Sequence, residues 1–235
     1  MMYVRYRMAA ELAPGGAVLE VGCGSGMGLP YLRAHASIAV GGDYTMGLVR
    51  EARGNVPGAM LMRMDAQHLP FAQASFDVAL MLEMVYYIPD LDAAVAECRR
   101  VLKPQGRLMI SVPNPDRPDF NPSPFSLHYP NLGELSAMLR RHGFTVTTYG
   151  GFPVEPANAR EHVLAPLRHF AVRYHLIPRS MRAKSILKRL LYGKLPNLGA
   201  VRDGVVPYAA PTRLAEGTER TPGFKTLYAV GVAAP

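Results

Sequence analysis

A glycine-rich turn at residues 22–26 constrains this chain more than any other feature of its sequence. The turn reads Gly22-Cys23-Gly24-Ser25-Gly26, follows the apolar run 17–19 and precedes a segment, 29–32, that can begin a helix. Glycine at alternate positions lets the backbone turn tightly between a strand and a helix. A ligand can then lie against bare main chain, beside the free N–H groups of the helix N-terminus. The turn therefore predicts a ligand site on an α/β fold.

The glycine spacing and the residue that precedes it narrow the class of ligand. Dinucleotide sites use G-x-G-x-x-G, and a P-loop needs Lys followed by Ser or Thr after its last glycine. This turn has the spacing G-x-G-x-G and lacks the lysine. Glu20, two residues before the first glycine, would repel a phosphate, whereas it suits a ligand that carries positive charge.

Length and composition favour one domain with an appendage. The 235 residues are 49% hydrophobic, but no apolar run approaches the roughly 18 residues of a membrane span, and the N-terminal segment does not resemble a signal peptide. The two cysteines, Cys23 and Cys98, predict neither a disulfide framework nor a metal site, so we expect a cytoplasmic protein.

The net charge of +8 is concentrated in one segment. Residues 158–202 hold 10 of the 26 Lys and Arg residues and only 1 of the 18 acidic ones. We therefore divide the chain into a core at 1–157, a basic insertion at 158–202 and a return to the core at 203–235.

Strands and helices alternate along the core. Predicted strands lie at 18–21, 37–42, 59–64, 76–84, 107–112, 144–149 and 225–232. Predicted helices lie at 29–36, 46–53, 91–102 and 131–142. Asp90 and Asn131 are the predicted N-terminal caps of the last two helices. This alternation predicts a doubly wound α/β fold with a mostly parallel sheet of seven strands, interrupted by a helical basic insertion before the last strand.

Polar residues follow successive strands of this predicted sheet. Asp43 ends the second strand, Asp65 ends the third and Glu83 lies near the end of the fourth. Ligands of such sheets bind beyond the carboxyl ends of the strands, where a carboxylate can accept both hydroxyls of a ribose or the amine of an adenine. A lone aspartate would more often be a helix cap or turn residue, but the repeated placement favours a site.

Five motifs in order make residues 17–113 resemble the core of the class I S-adenosylmethionine-dependent methyltransferases. The matching segments are 18–26, Gly42-Asp43, 65–71 (DAQHLPF), 75–78 (SFDV) and 97–104 (ECRRVLKP). The resemblance implies S-adenosylmethionine as cofactor and S-adenosylhomocysteine as product.

The resemblance also implies which residues contact the cofactor. They are Glu20, Gly22, Gly24, Gly26, Asp43, Tyr44, Asp65, Ala66, Leu82 and Glu83. The glutamate and glycines of the turn would hold the methionine end, and Asp43 the ribose, with Tyr44 over the adenine face. Asp65 and Ala66 would contact the adenine edge, and the last two residues the methionyl amine.

Methyl transfer to a hydroxyl also needs a group that accepts a proton. We name His128, in a Pro-rich loop at 113–130, and the pair Tyr86 and Tyr87 as catalytic candidates, with Glu83 as a further proton acceptor. A lone loop histidine is more often a solvated surface residue, and tyrosines often only pack the wall of a site. No metal ligands are expected.

Two further expectations concern the backbone of one turn and the part of the chain that covers the cofactor. Gln105 replaces the usual glycine in the Lys103–Gly106 turn, which favours a type I turn without positive φ. With only about a dozen residues before the first strand, we expect the cofactor to be covered by the loop at 113–130 or by the basic insertion.

The basic insertion has three alternative interpretations, which are a helical pair with a solvated face, a membrane-surface helix or a nucleic-acid contact. We disfavour nucleic acid because 82–86 lacks an Asn-Pro-Pro-aromatic turn and neither cysteine sits where a pyrimidine-attacking thiolate is expected.

The sequence thus predicts a methyltransferase that acts on oxygen or nitrogen of a small biosynthetic molecule. The alternatives are a lipid-linked or saccharide acceptor at a membrane surface, reached through 158–202, and a cofactor-binding scaffold without turnover.

Overall fold

The computed structural model describes residues 1–12, 14–154, 201–204 and 206–235. Its helices are α1 (Met2–Leu12), α2 (Leu29–His35), α3 (Met46–Asn55), α4 (Leu91–Val101) and α5 (Leu132–Arg141). Its strands are β1 (Ala17–Val21), β2 (Ile38–Asp43), β3 (Met60–Arg63), β4 (Phe76–Leu82), β5 (Leu102–Pro113), β6 (Phe144–Pro153), β7 (Thr212–Arg213) and β8 (Phe224–Ala233). A single 3₁₀ turn, Val85–Tyr87, follows β4.

The strands form one sheet in the order β3-β2-β1-β4-β5-β8-β6-β7. The first five are parallel, whereas β8 runs antiparallel to both β5 and β6. The predicted α/β fold class is confirmed. The described sheet has eight strands rather than seven, because the two-residue β7 pairs with Tyr149 and Gly150 of β6. So short a strand carries no apolar pattern that the sequence could show. The predicted insertion lies outside the described residues except for Val201 and Arg202.

Each face of the sheet has its own hydrophobic core. One cluster contains Val95 of α4 and Leu135 of α5, and the other contains Tyr6 of α1 and Leu32 of α2. Successive residues of β4 alternate between them, since Met81 belongs to the first cluster and Leu80 to the second. A central strand covered on both faces is apolar throughout, and this is why β4 is a continuous apolar run.

The predicted helix caps are confirmed. The Asp90 carboxylate accepts a hydrogen bond from the Ala93 N–H at 2.9 Å. Asn131 and Glu134 form a reciprocal capping box at the start of α5, which satisfies two of the unpaired N–H groups of a first helical turn.

The prediction for the Lys103–Gly106 turn is wrong. Gln105 has a φ of 61°, so the turn requires the left-handed conformation that favours glycine. The Gln105 side chain is exposed.

The N-terminal segment differs from expectation as well. Residues 2–12 form α1, which packs against α2 and buries Val4, Tyr6, Met8 and Ala9. Helix α1 therefore packs beside the glycine turn, with Tyr6 close to Gly28. That the loop at 113–130 or the insertion covers the cofactor stays a prediction.

Candidate active site

The glycine turn joins β1 to α2 in the conformation that its sequence predicts. Gly22, Gly24 and Gly26 have φ values of 75°, 56° and 77°. The N–H groups of Gly22 and Cys23 both donate to the Gly42 carbonyl, at 2.8 and 2.9 Å. A Cβ at position 22 would lie 2.7 Å from Met84 Cγ. Glycine is therefore needed here both for the backbone conformation and for the close approach of the segment after β4.

Asp43 anchors this turn to the end of β2. Its Oδ2 accepts a hydrogen bond from the Gly24 N–H at 3.0 Å, and its Oδ1 accepts one from the Thr45 N–H at 2.8 Å. The carboxylate thus serves as a turn residue, the alternative that the sequence left open, while it also lines the cavity described next. Each carboxylate oxygen has two lone pairs, so it can accept from a ligand as well.

A cavity of about 580 Å³ lies at the carboxyl ends of β1 to β4. Eight of the predicted site residues line it, namely Gly22, Gly24, Asp43, Tyr44, Asp65, Ala66, Glu83 and Tyr87. Five others do not line it, namely Glu20, Gly26, Leu82, Tyr86 and His128. The structure therefore brings together polar groups from three strand ends with the glycine turn.

The two ends of the cavity differ in chemistry. At one end, Asp65 Oδ1 accepts from the Gln67 N–H at 2.9 Å, and the centre of the exposed Tyr44 ring lies 5.4 Å from the Arg63 guanidinium carbon. At the other end, Glu83 lies 3.8 Å from the Arg5 guanidinium. The cavity thus has carboxylates at both ends, and the carboxylate of Glu83 is paired with Arg5, which does not itself line the cavity.

Glu83 is held in a strained conformation. Its φ is 59°, which is uncommon for a residue other than glycine and is often found at functional sites. Burial raises the pKa of the Glu83 carboxyl, and the Arg5 charge opposes this rise. Within the described residues, Glu83 Oε1 and Arg5 Nε are buried without a hydrogen-bond partner. Because buried polar groups are nearly always paired, the two atoms indicate that a ligand or water supplements the 3.8 Å ion pair between the side chains.

Glu20 lies behind the glycine turn, beneath α1. Its side chain is 1% exposed and its Oε1 accepts a hydrogen bond of 2.5 Å from the Tyr6 hydroxyl. Burial raises the pKa of Glu20 to about 7, against the opposing effects of the Tyr6 hydrogen bond and the Arg5 charge. Glu20 therefore has access to both protonation states near neutral pH.

The three catalytic candidates occupy different surroundings. Tyr87 lines the cavity and is 47% exposed. Tyr86 is buried and stacks on Tyr129 with ring centres 4.3 Å apart, and burial raises its hydroxyl pKa. His128 lies in a separate groove, where its Nε2 is 3.1 Å from Glu134 Oε2. Of the three side chains, that of Tyr87 is the one that lines the cavity.

Sequence reasoning missed Arg5 and Tyr6. Both lie on α1, whose sequence MYVRYRMAAEL shows no clear apolar stripe. Their partners, Glu83 and Glu20, are distant along the chain. A single sequence offers no signal for such contacts.

The two cysteines lie in surroundings that disfavour the thiolate. Cys23 and Cys98 are free and buried, and burial raises the pKa of both thiols to about 12.

No group of three His, Cys, Asp or Glu residues in the described part of the chain could hold a metal ion. None of the helices described here combines the length and hydropathy needed to cross a bilayer.

Comparison with known proteins identifies this architecture. Residues 19–110 match the family described as a methyltransferase domain. A probable S-adenosylmethionine-dependent methyltransferase of Mycolicibacterium smegmatis is 33% identical over 149 residues, which cover 61% of this chain and 57% of that protein. The chain contains a class I S-adenosylmethionine-dependent methyltransferase domain. The cofactor of this methyltransferase domain is S-adenosylmethionine.

Two further comparisons concern the acceptor and the fold. A phosphatidylethanolamine N-methyltransferase of Cereibacter sphaeroides is 35% identical over 113 residues, which cover 45% of this chain and 55% of that protein. The chain thus spans just over half the length of both curated relatives. The structure of an S-adenosylmethionine-dependent methyltransferase from Archaeoglobus fulgidus has a TM-score of 0.63 at 17% identity and covers 98% of this chain and 92% of its own, which shows the same fold.

Proposed function

We propose that this protein transfers a methyl group from S-adenosylmethionine to oxygen or nitrogen of a small acceptor molecule. The observation that carries the proposal is the cavity at the carboxyl ends of β1 to β4, where the glycine turn meets Asp43, Asp65 and Glu83. Ligands of doubly wound sheets bind at this edge. The methyltransferase domain spans only part of the chain, so the acceptor has to be inferred from the site.

The cavity matches the chemical groups of the cofactor. Asp43 and Asp65 offer oxygens that accept from ribose hydroxyls and an adenine amine, beside the aromatic ring of Tyr44. Glu83 lines the cavity and is paired with Arg5, which does not line it. The Glu83 carboxylate complements the ammonium of the methionine end.

The chemistry supplied by bound S-adenosylmethionine is an activated methyl group on sulfur. The protein's own contribution is to hold the acceptor lone pair in line with that methyl group, since orientation alone supplies much of a rate enhancement. Tyr87 and Met84 line the cavity beside Glu83 and form a wall against which an apolar or aromatic acceptor can pack. Glu83, with its raised carboxyl pKa, is placed to take a proton from an acceptor hydroxyl.

Titration calorimetry with S-adenosylmethionine and S-adenosylhomocysteine tests the cofactor site. We expect Asp43→Ala and Asp65→Asn each to weaken binding at least tenfold, because each removes a charge-assisted hydrogen bond worth about 1.5–3 kcal/mol. Asp92→Ala, on the exposed face of α4, is the matched control and should bind as the unaltered protein does. Full affinity in both cavity variants would show that the cofactor is placed wrongly.

Release of S-adenosylhomocysteine in the presence of candidate acceptors tests turnover. Hydroxyl and amine compounds of increasing size should be compared at saturating cofactor. Tight cofactor binding without release on any acceptor would favour the scaffold alternative.

A lipid-linked acceptor is the second candidate function. Its support is a pair of exposed apolar side chains, Phe125 and Leu127, in the loop at 113–130, together with the curated relative whose name specifies phosphatidylethanolamine. Liposome flotation with and without residues 158–202 tests the proposed membrane contact of the insertion. Equal flotation of both proteins would exclude it.

A further inference from the structure

A second groove lies next to the candidate active site. It has a volume of about 410 Å³ and runs between the 3₁₀ turn, the end of the loop at 113–130 and one side of α5. We call it the α5 groove. Most of its wall is apolar, formed by Val85, Ile88, Leu91, Leu127, Ala137 and Met138.

The polar side chains of the α5 groove already have partners. His128 Nε2 lies 3.1 Å from Glu134 Oε2, and the same carboxylate accepts from the Asn131 N–H at 2.7 Å. The Arg141 guanidinium donates to Asp92 Oδ1 at 2.6 Å. These side chains are exposed, so their pairs lie at the open edge of the groove. A polar ligand that displaced them would exchange one set of hydrogen bonds for another and gain little. An apolar ligand needs no such partners.

The α5 groove and the cavity of the candidate active site share a wall. Ile88 and Pro89 line both of them. Val85 lines the groove only, and Tyr87 lines the cavity only. A molecule that passes over Ile88 and Pro89 can therefore place an apolar part in the groove and a reactive group in the cavity.

Leu127, which lines the groove, and Phe125, two residues before it in the same loop, are exposed apolar side chains. Phe125 is 75% exposed and Leu127 is 64% exposed. The loop that carries them is tied down, since the Leu127 N–H donates to the Tyr86 carbonyl at 2.8 Å and the Ser123 N–H to the Tyr129 hydroxyl at 3.2 Å. Exposed apolar patches beside a groove mark binding sites for apolar ligands or partners.

We propose that the α5 groove binds the linear hydrocarbon chain of the methyl acceptor, whose reactive group lies in the adjoining cavity. This proposal rests on the proposed methyl-transfer function and specifies its substrate class. The paired polar groups favour a hydrocarbon over a peptide, and the shared wall at Ile88 and Pro89 favours a substrate over a second copy of the protein.

Binding of hexan-1-ol, octan-1-ol and decan-1-ol to the protein loaded with S-adenosylhomocysteine tests the proposal. Burial of each added pair of methylene groups should tighten binding about tenfold, as measured by calorimetry. Ala137→Phe fills the groove from an exposed position on α5 and should weaken decan-1-ol binding at least tenfold. Leu127→Ser should weaken it by several fold through loss of the rim.

Ala96→Phe is the matched control, because Ala96 is an exposed helical alanine on α4 outside the groove. It should bind decan-1-ol normally, and all three variants should bind S-adenosylhomocysteine normally. Absence of alcohol binding, affinity independent of chain length, or equal affinity in Ala137→Phe would overturn the proposal. So would concentration-dependent dimerisation that Leu127→Ser abolishes, since the groove would then be a dimer contact. Loss of cofactor binding in the unaltered protein would instead contradict the proposed function.

Discussion

Replacing Glu20 with glutamine removes the one ionisable group that lies fully buried beneath the glycine turn among the described residues. Burial raises the pKa of this carboxyl from 4.5 to about 7. The folded protein therefore holds the proton more tightly than the unfolded chain does. The contribution of Glu20 to the free energy of unfolding is therefore greatest below about pH 4.5. It falls as the pH rises toward 7, because the folded state then has to ionise a buried group.

The size of this effect follows from the two pKa values. A difference from 4.5 to about 7 corresponds to roughly 3 kcal/mol of stability lost at high pH, at 1.36 kcal/mol per pKa unit. By pH 5 a small part of this is already lost, so the fall between pH 5 and pH 8 is about 2.5 kcal/mol. Glutamine keeps an oxygen that can accept from Tyr6 but does not titrate. Any fixed cost of its unpaired NH₂ group is the same at both pH values and cancels in the comparison.

Urea denaturation of both proteins at pH 5 and pH 8 measures the difference. The stability of Glu20→Gln relative to the unaltered protein should rise by about 2.5 kcal/mol from pH 5 to pH 8, which is about 1 M in the urea midpoint. Other titrating groups are common to both proteins, so their effects cancel in the difference between the two free energies of unfolding. Tyr6→Phe should enlarge the pH dependence of the native sequence, since the Tyr6 hydrogen bond lowers the Glu20 pKa. A pH-independent difference would refute the reasoning.

Three further substitutions test other features of the fold. Gln105→Gly should raise stability by about 0.5–1 kcal/mol, because Gln105 has a φ of 61° that only glycine adopts without strain; an unchanged or lower urea midpoint would contradict this. Gly28→Ala should lower stability by about 1–3 kcal/mol, since a Cβ there would lie 1.8 Å from the Tyr6 ring, and circular dichroism should show loss of helix as α1 is displaced. Asp92→Asn should change stability by less than about 0.5 kcal/mol, because its contacts with Arg141 and His142 are at the surface; a midpoint shift larger than this would show a structural role.

The parallel half of the fold could be predicted from the sequence because its signals are local. Strand β4 is a continuous apolar run, and α4 and α5 begin at cap residues that are visible in the sequence. The register of β8 depends on pairs more than a hundred residues apart with β5, and on pairs between 71 and 89 residues apart with β6. The conformation of Gln105 is likewise set by the turn that surrounds it rather than by its own preference.

The candidate site divides in the same way. Asp43 and Asp65 follow strands whose ends must meet at one edge, so their shared cavity could be anticipated. The sequence placed Glu20 beside the ligand, whereas the structure places its side chain against Tyr6 of α1. The pairing of Arg5 with Glu83 depends on how α1 docks, which a pattern of apolar residues does not determine when the helix lacks a clear apolar stripe.

The position of β8 has a consequence for how the protein is made. Strand β8 lies between β5 and β6 but follows both along the chain. On the ribosome, β5 and β6 therefore have no neighbour on their facing sides until residues beyond 224 have emerged. Unpaired strand edges favour aggregation, so nascent chains that stall before this point should be the most dependent on chaperones. Residues 158–202, the predicted insertion, lie between β6 and β8 along the chain, so their translation lengthens the time for which both strand edges are unpaired.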